Sequence, residues 1–260
     1  MSAKSHPVHH QTFSEPYPFE IFTPENKKAP LIFQTPILGR FIFFEDLFWE
    51  RRWARFLAEQ GFVSVLIHRP IFTFDSGRGL EQIQDYLATS VTRNQAVLER
   101  VFQENHGDSS RAGSYGISFG SIVNCLWAAQ EKRLLVNAFA LTGGNLPEIF
   151  MASQDPLMAS YRRDALAYCG GDVPQLRENL KKLFKRDPLT AANNAPDKTL
   201  MILARFDQVV PFRYGMALRE KLGNPKTLYL PFGHYLSMFV SPGLKWKVAD
   251  FFKEKFNLRK

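Results

Sequence analysis

Gly116-Ile117-Ser118-Phe119-Gly120 puts a serine between two glycines, and what flanks it narrows the folds open to the chain. Upstream, residues 111–115 make a short run suited to a strand. Downstream, Ile122, Val123, Leu126 and Trp127 follow the 3.6-residue period of a buried helix. The pattern G-x-S-x-G at a strand-to-helix junction describes a tight turn in which side chains at the glycine positions would collide with returning backbone. A helix starting right behind Ser118 would aim free N–H groups and its positive dipole end at the serine, where an oxyanion is stabilised. Five residues alone also fit an ordinary turn, so the reading depends on partners elsewhere.

The rest of the chain alternates strand and helix. Residues 19–23 read as an edge strand and 30–34 as a buried one that ends in the turn Thr35-Pro36-Ile37-Leu38-Gly39. Over 46–60, Trp49, Trp53, Phe56 and Leu57 form the apolar stripe of an amphipathic helix closed by Gly61. An apolar strand at 62–67, a helix over 80–102, the serine turn and a strand at 134–141 continue the rhythm. The rhythm then breaks. Residues 146–197 are rich in Pro, Asp, Arg and Asn, with a helical piece at 174–184, and read as an inserted cap. Strand 199–204, helix 212–222 and strand 227–230 resume the core. In the final helix Ser241 is the expected cap, Pro242 the first residue, and Leu244, Val248, Phe251 and Phe252 the buried stripe. The expected fold class is therefore α/β: a mostly parallel central sheet flanked by helices, with a small helical cap insertion. Residues 1–18 read as a flexible tail, 19–145 and 198–260 as the core, and 146–197 as the cap. The 260 residues, 45% of them hydrophobic, suit one such domain.

Composition excludes several classes of function. The net charge of +8 is spread along the chain, and the basic end Lys253, Lys255, Arg259 and Lys260 reads as a solvated helix face, so no nucleic-acid partner is expected. Cys125 and Cys169 lack metal-ligand spacing and read as free thiols. His6, His9 and His10 have no convergent ligand set, and neither metal nor cofactor is expected. Residues 31–49 are very apolar, but Gln34, Arg40, Glu45 and Asp46 interrupt them, so no transmembrane segment is expected. Without an apolar leader, the default location is cytoplasmic.

In a parallel sheet functional groups gather at the carboxyl ends of strands. Asp207 follows the strand 199–204, and His234 follows 227–230 in Pro231-Phe232-Gly233-His234. A serine hydroxyl is a weak nucleophile at neutral pH, so His234 would take its proton while Asp207 orients the imidazole and stabilises the imidazolium. Fallback acids are Glu148 and Asp155; His68 and His106 are weaker base candidates.

With the chain order Ser, Asp, His, the sequence resembles the α/β-hydrolase superfamily over residues 30–256. Residues 53–63 are similar to that family's first helix leading into a strand, and Asp187-Pro188-Leu189 to a segment that precedes the acid-bearing strand. The resemblance implies a cofactor-independent serine hydrolase acting on a small-molecule ester or thioester through an acyl-enzyme. Acyltransfer or peptide cleavage on the same triad, and a catalytically silent binding module using Arg162, Arg163 and Arg177, are the alternatives. Oligomeric state and natural substrate are not readable. Serine at the turn argues against alkyl-halide and epoxide chemistry. In two places the sequence departs from the family pattern. Thr35-Pro36 stands where the family has His-Gly, so the oxyanion donors expected are the backbone N–H groups of Phe119 and of Ile37 or Leu38, since Pro36 has none. His68-Arg69-Pro70 replaces a more glycine-rich segment. Leu38, Phe150 and Met151 are the expected apolar contacts of an acyl group.

Overall fold

The computed structural model describes residues 7–37, 47–70, 79–239 and 242–258. In chain order, β1 (His9–Phe13), β2 (Phe19–Thr23) and β3 (Pro30–Thr35) lead to α1 (Phe48–Glu59) and β4 (Val63–Ile67). Next come α2 (Gly79–Gln103), β5 (Asp108–Ile117), α3 (Phe119–Gln130) and β6 (Leu134–Ala140). Four helices follow: α4 (Leu146–Ala152), α5 (Pro156–Tyr168), α6 (Val173–Leu183) and α7 (Pro188–Ala191). The chain ends with β7 (Thr199–Ala204), α8 (Phe212–Lys221), β8 (Lys226–Leu230), α9 (His234–Phe239) and α10 (Pro242–Lys255).

The eight strands form one sheet in the order β1-β2-β4-β3-β5-β6-β7-β8. β1 and β2 pair antiparallel; every pairing from β3 and β4 to β8 is parallel. This is the mostly parallel α/β sheet that the alternation predicts. Both faces are covered, which is why β3, β4 and β7 are buried along their whole length and read as largely apolar runs, with Gln34 of β3 donating to Ser64 of β4. Phe33 and Val65 point to one face and meet Leu98 of α2 and Trp127 of α3. Ile32 and Tyr115 point to the other, where Val248 and Phe252 of α10 cover them.

Two expectations need correction at the antiparallel edge. His9–Phe13, inside the stretch read as a flexible tail, is a strand, and β2 is therefore an interior strand rather than an edge. Side-chain pairing holds β1 there: the Phe13 ring stacks on Phe19 at 4.6 Å and the His10 ring on Phe22 at 4.3 Å. The expected stripe of α1 is also only partly right. Phe56 and Leu57 are buried, along with Ala54 and Ala58, whereas Trp49 and Trp53 are half-buried.

Helices α4 to α7 lie between β6 and β7, over the span read as the cap. Tyr161, Leu176, Leu180 and Phe184 belong to the same apolar cluster as Val91 of α2 and Val123 of α3, so these helices share the main core. Ser241, the expected cap of α10, lies outside the described residues, but Leu244, Val248, Phe251 and Phe252 are all buried as that helix's stripe requires. Among the described residues no helix is long and apolar enough to cross a membrane.

Candidate active site

Ser118 is the single residue between β5 and α3, with φ 55° and ψ −125°, a positive-φ backbone that a residue with a Cβ adopts only under constraint. The constraint is visible. Ser118 N–H donates to Ala140 O at 2.8 Å, and its carbonyl accepts from Ser121 N–H at 2.9 Å and Ile122 N–H at 3.2 Å. A Cβ at Gly116 would stand 2.6 Å from Gly120 O, and one at Gly120 would stand 2.4 Å from Thr35 O and 2.5 Å from Pro36 O. Both glycines are thus required by close backbone approach.

His234 opens α9 just after β8, and Asp207 lies in the loop after β7. Backbone bonds tie these loops together, from Arg205 N–H to Leu230 O at 2.9 Å and from Phe206 N–H to Phe232 O at 3.2 Å. Asp207 Oδ1 accepts from the N–H groups of Val209 and Val210 at 2.9 and 2.8 Å, which leaves Oδ2 to face the imidazole. His234 Nδ1 is 2.7 Å from that oxygen, and its Nε2 is 2.8 Å from Ser118 Oγ. A carboxylate can only accept, so the ring proton sits on Nδ1 and Nε2 accepts from the serine hydroxyl. Asp207 and His234 are buried, 7% and 4% exposed, so solvent competes little for these bonds. The three residues singled out in the sequence come together in one hydrogen-bonded line.

The other candidates are engaged elsewhere. Glu148 pairs with Arg177 at 2.6 Å. Asp155 caps α5 through Met158 N–H at 3.0 Å and accepts from the Tyr235 hydroxyl; burial and that carboxylate raise the Tyr235 phenol. His106 pairs with Glu104 at 3.0 Å, and His68 with Glu20 at 2.7 Å. Phe150 is buried in the core with Met151 packed against the same cluster, and its carbonyl accepts from Arg162 at 2.8 Å. Cys125 is buried inside α3, which pushes its thiol up to about 12, well away from nucleophilic use.

Phe119 is the first residue of α3, where an N–H has no partner inside the helix, and its ring is fixed edge-on by Tyr86 at 5.4 Å. Ile37 follows Pro36 at the end of β3. Its carbonyl accepts from Arg69 Nη1 at 3.0 Å, while Leu38 lies outside the described residues. Thr35 is held in place by a buried polar chain: Asn94 Nδ2 donates to its Oγ1 at 2.7 Å, and that hydroxyl donates to Asn124 Oδ1 at 2.5 Å. Beside them a small cavity of ≈ 40 Å³ is lined by Pro36, Ile37, Trp49, Glu50, Trp53 and Met238, with Ile117 at its wall. Sequence reasoning missed Trp49, Trp53 and Met238 as lining residues, because an apolar stripe on a helix looks the same whether it faces a core or a cavity. Among the described residues no group of three or more His, Cys, Asp or Glu could hold a metal ion.

No protein-family model matches the chain, and no curated protein matches its sequence. Solved structures do match in fold. The chain is similar to a cold-adapted esterase from an Arctic intertidal metagenomic library, with TM-score 0.57, 17% identity and coverage of 95% of each chain. It is similar to the acylaminoacyl peptidase of Pyrococcus horikoshii at TM-score 0.62 and 20% identity, covering 98% of this chain and 42% of that one. A puromycin hydrolase matches at TM-score 0.67 and 14% identity, covering 98% of this chain and 40% of that one. These likenesses are of fold, and the fold is that of the α/β-hydrolases.

Proposed function

We propose that this chain of α/β-hydrolase fold is a serine hydrolase that cleaves a small-molecule ester or thioester through an acyl-enzyme. The observation that carries the reading is the line Asp207–His234–Ser118, with contacts of 2.7 and 2.8 Å, at the carboxyl ends of three parallel strands. His234 Nε2 takes the Ser118 proton as Oγ bonds to the acyl carbon, and Asp207 stabilises the resulting imidazolium without accepting its proton. The carbonyl oxygen, now negative, is received by the N–H groups of Phe119 and Ile37. Collapse of this adduct breaks the bond to the alcohol or thiol, which leaves with the proton from His234. Water then repeats the sequence on the acyl-enzyme, giving its proton to His234, and the acid departs as Ser118 is reprotonated.

The cavity next to Ile37 supports an apolar acyl group, since Trp49, Trp53, Ile117 and Met238 make its wall mostly apolar, with Glu50, which faces Arg69, as the charged side chain in the lining. These residues replace Phe150 in the proposed acyl contact, because Phe150 is already buried in the core. Solved structures of an esterase and of a puromycin hydrolase on the same fold also support hydrolysis. The test is labelling by a fluorophosphonate probe followed by peptide mapping. The expected result is one label on Ser118, with none on Ser118→Ala. Resistance of the intact protein to probes of several sizes, or a label on Ser114 or Ser121, would count against the reading.

A further inference from the structure

The two places where the sequence departs from the family pattern meet in the structure. Arg69, from the segment His68-Arg69-Pro70, donates from Nη1 to the carbonyl of Ile37, which follows Thr35-Pro36, at 3.0 Å. That carbonyl belongs to the residue whose N–H is the proposed second oxyanion donor. The direction of this N–H is set by the torsions on either side of the Pro36–Ile37 peptide, and both sides are held. Upstream, Thr35 is fixed by Asn94 and Asn124, and Gly120 packs directly on the Thr35 and Pro36 carbonyls. Downstream, Arg69 holds the Ile37 carbonyl.

Arg69 is itself pinned from several directions. Its Nη1 lies 3.7 Å from Glu50 Oε1, and both side chains are largely buried. Pro70 limits the Arg69 backbone to extended conformations. Its other neighbour, His68, donates its backbone N–H to Pro18 O at 2.9 Å and pairs through Nε2 with the buried Glu20 at 2.7 Å. A planar guanidinium on a fixed stem makes a directional clamp, which a flexible ammonium does not.

We propose that Arg69 is a positioning residue for the reaction: by holding the Ile37 carbonyl it aims the Ile37 N–H at the developing oxyanion. Pro36 stiffens the backbone on one side of the Ile37 N–H, and the clamp holds the Ile37 carbonyl on the other. The proposal rests on the serine-hydrolase reading. It predicts that removing the clamp weakens binding of the transition state and leaves binding of the ground state alone.

The test compares wild type with Arg69→Met, which keeps an apolar stem and loses the donors. The expected result is a fall in kcat of roughly 10- to 100-fold with KM within about twofold, as for a misplaced catalytic group. Affinity for an aryl trifluoromethyl ketone, whose adduct with Ser118 carries an oxyanion, should fall by the same factor as kcat/KM, a correlation that general loosening of the fold would not produce. An unchanged kcat, a loss confined to KM, or a loss of kcat/KM with the ketone affinity intact would overturn the proposal. If Arg69→Met does not fold, Arg69→Lys serves: it keeps the charge without the planar fork and should lose about tenfold in kcat, and wild-type kcat in it would be equally fatal. Failure of the hydrolase reading would show separately, since wild-type protein would then be neither phosphonylated by the fluorophosphonate nor inhibited by the ketone.

Discussion

The two oxygens of Asp207 have different tasks: Oδ1 takes two backbone N–H groups and Oδ2 takes His234. This division predicts what Asp207→Asn would do. The amide oxygen would keep the Val209 and Val210 donors, which turns the NH2 toward Nδ1. The imidazole must then carry its proton on Nε2, where it can no longer accept from Ser118. The expected outcome is a loss of about 10⁴ in kcat with little change in Tm, read from steady-state kinetics and thermal unfolding. Ser118 makes a second prediction at the same scale. Its φ of 55° with ψ of −125° favours glycine, so the inactive variants Ser118→Ala and Ser118→Gly should differ in stability, the glycine variant being more stable by about 1 kcal/mol. Equal denaturant midpoints, or a more stable alanine variant, would show that the turn carries no such strain.

Between elements, the decisive contact is that of α3 with the end of β3. Gly120→Ala would put a methyl group 2.4 Å from Thr35 O and 2.5 Å from Pro36 O, both backbone atoms with no rotamer to adjust. We expect a destabilisation of about 1–3 kcal/mol by chemical denaturation, with a disproportionate loss of turnover because the displaced segment carries Ile37. Full activity in this variant would place the oxyanion donors elsewhere. This contact was half legible in the sequence: the two glycines around Ser118 announced a close approach, but not what approaches. Asp207 could be read because it follows the apolar run of β7 that a doubly covered sheet makes conspicuous, Ser118 because of its two glycines, and His234 because it follows the next strand in the chain order Ser, Asp, His. β1 could not. Its side chains are mostly exposed and polar, and the two rings that stack on β2, His10 and Phe13, leave no apolar period in the sequence. The same limit hid Arg69, whose partner is a carbonyl 32 residues away, and the Asn94–Thr35–Asn124 chain, whose members come from three elements.

Across the whole molecule, the antiparallel edge is fastened to the parallel sheet through one buried carboxylate. Glu20 on β2, 1% exposed, meets His10 of β1 at 2.7 Å, His68 beyond β4 at 2.7 Å and Arg51 of α1 at 2.9 Å. Burial works against its ionisation, but hydrogen bonds from His68, Arg51 and His10 outweigh it and bring the carboxyl from its ordinary 4.5 down to about 2. The sign follows from linkage. A carboxyl lowered on folding contributes stability that is fully present above its unfolded value and is lost as pH falls through the folded one, here between about 4.5 and about 2. Glu131, lowered to about 2 chiefly by the hydrogen bond from Arg133, acts in the same window from the opposite side of the sheet order. The wild-type protein should therefore hold its Tm from neutral pH down to about 5 and lose it steeply below. Glu20→Gln removes the buried charge on which His10, His68 and Arg51 converge and should be destabilised by about 3 kcal/mol at pH 7. Since the wild-type carboxylate is itself neutralised in acid, the gap between the two proteins should narrow steadily as the pH is lowered from about 4.5 toward 2. Denaturant titrations of both proteins across this range would decide the matter. A gap that stays constant, or widens in acid, would mean that Glu20 acts through packing, and the charge would then have no part in holding β1, β2 and the His68-Arg69-Pro70 segment together.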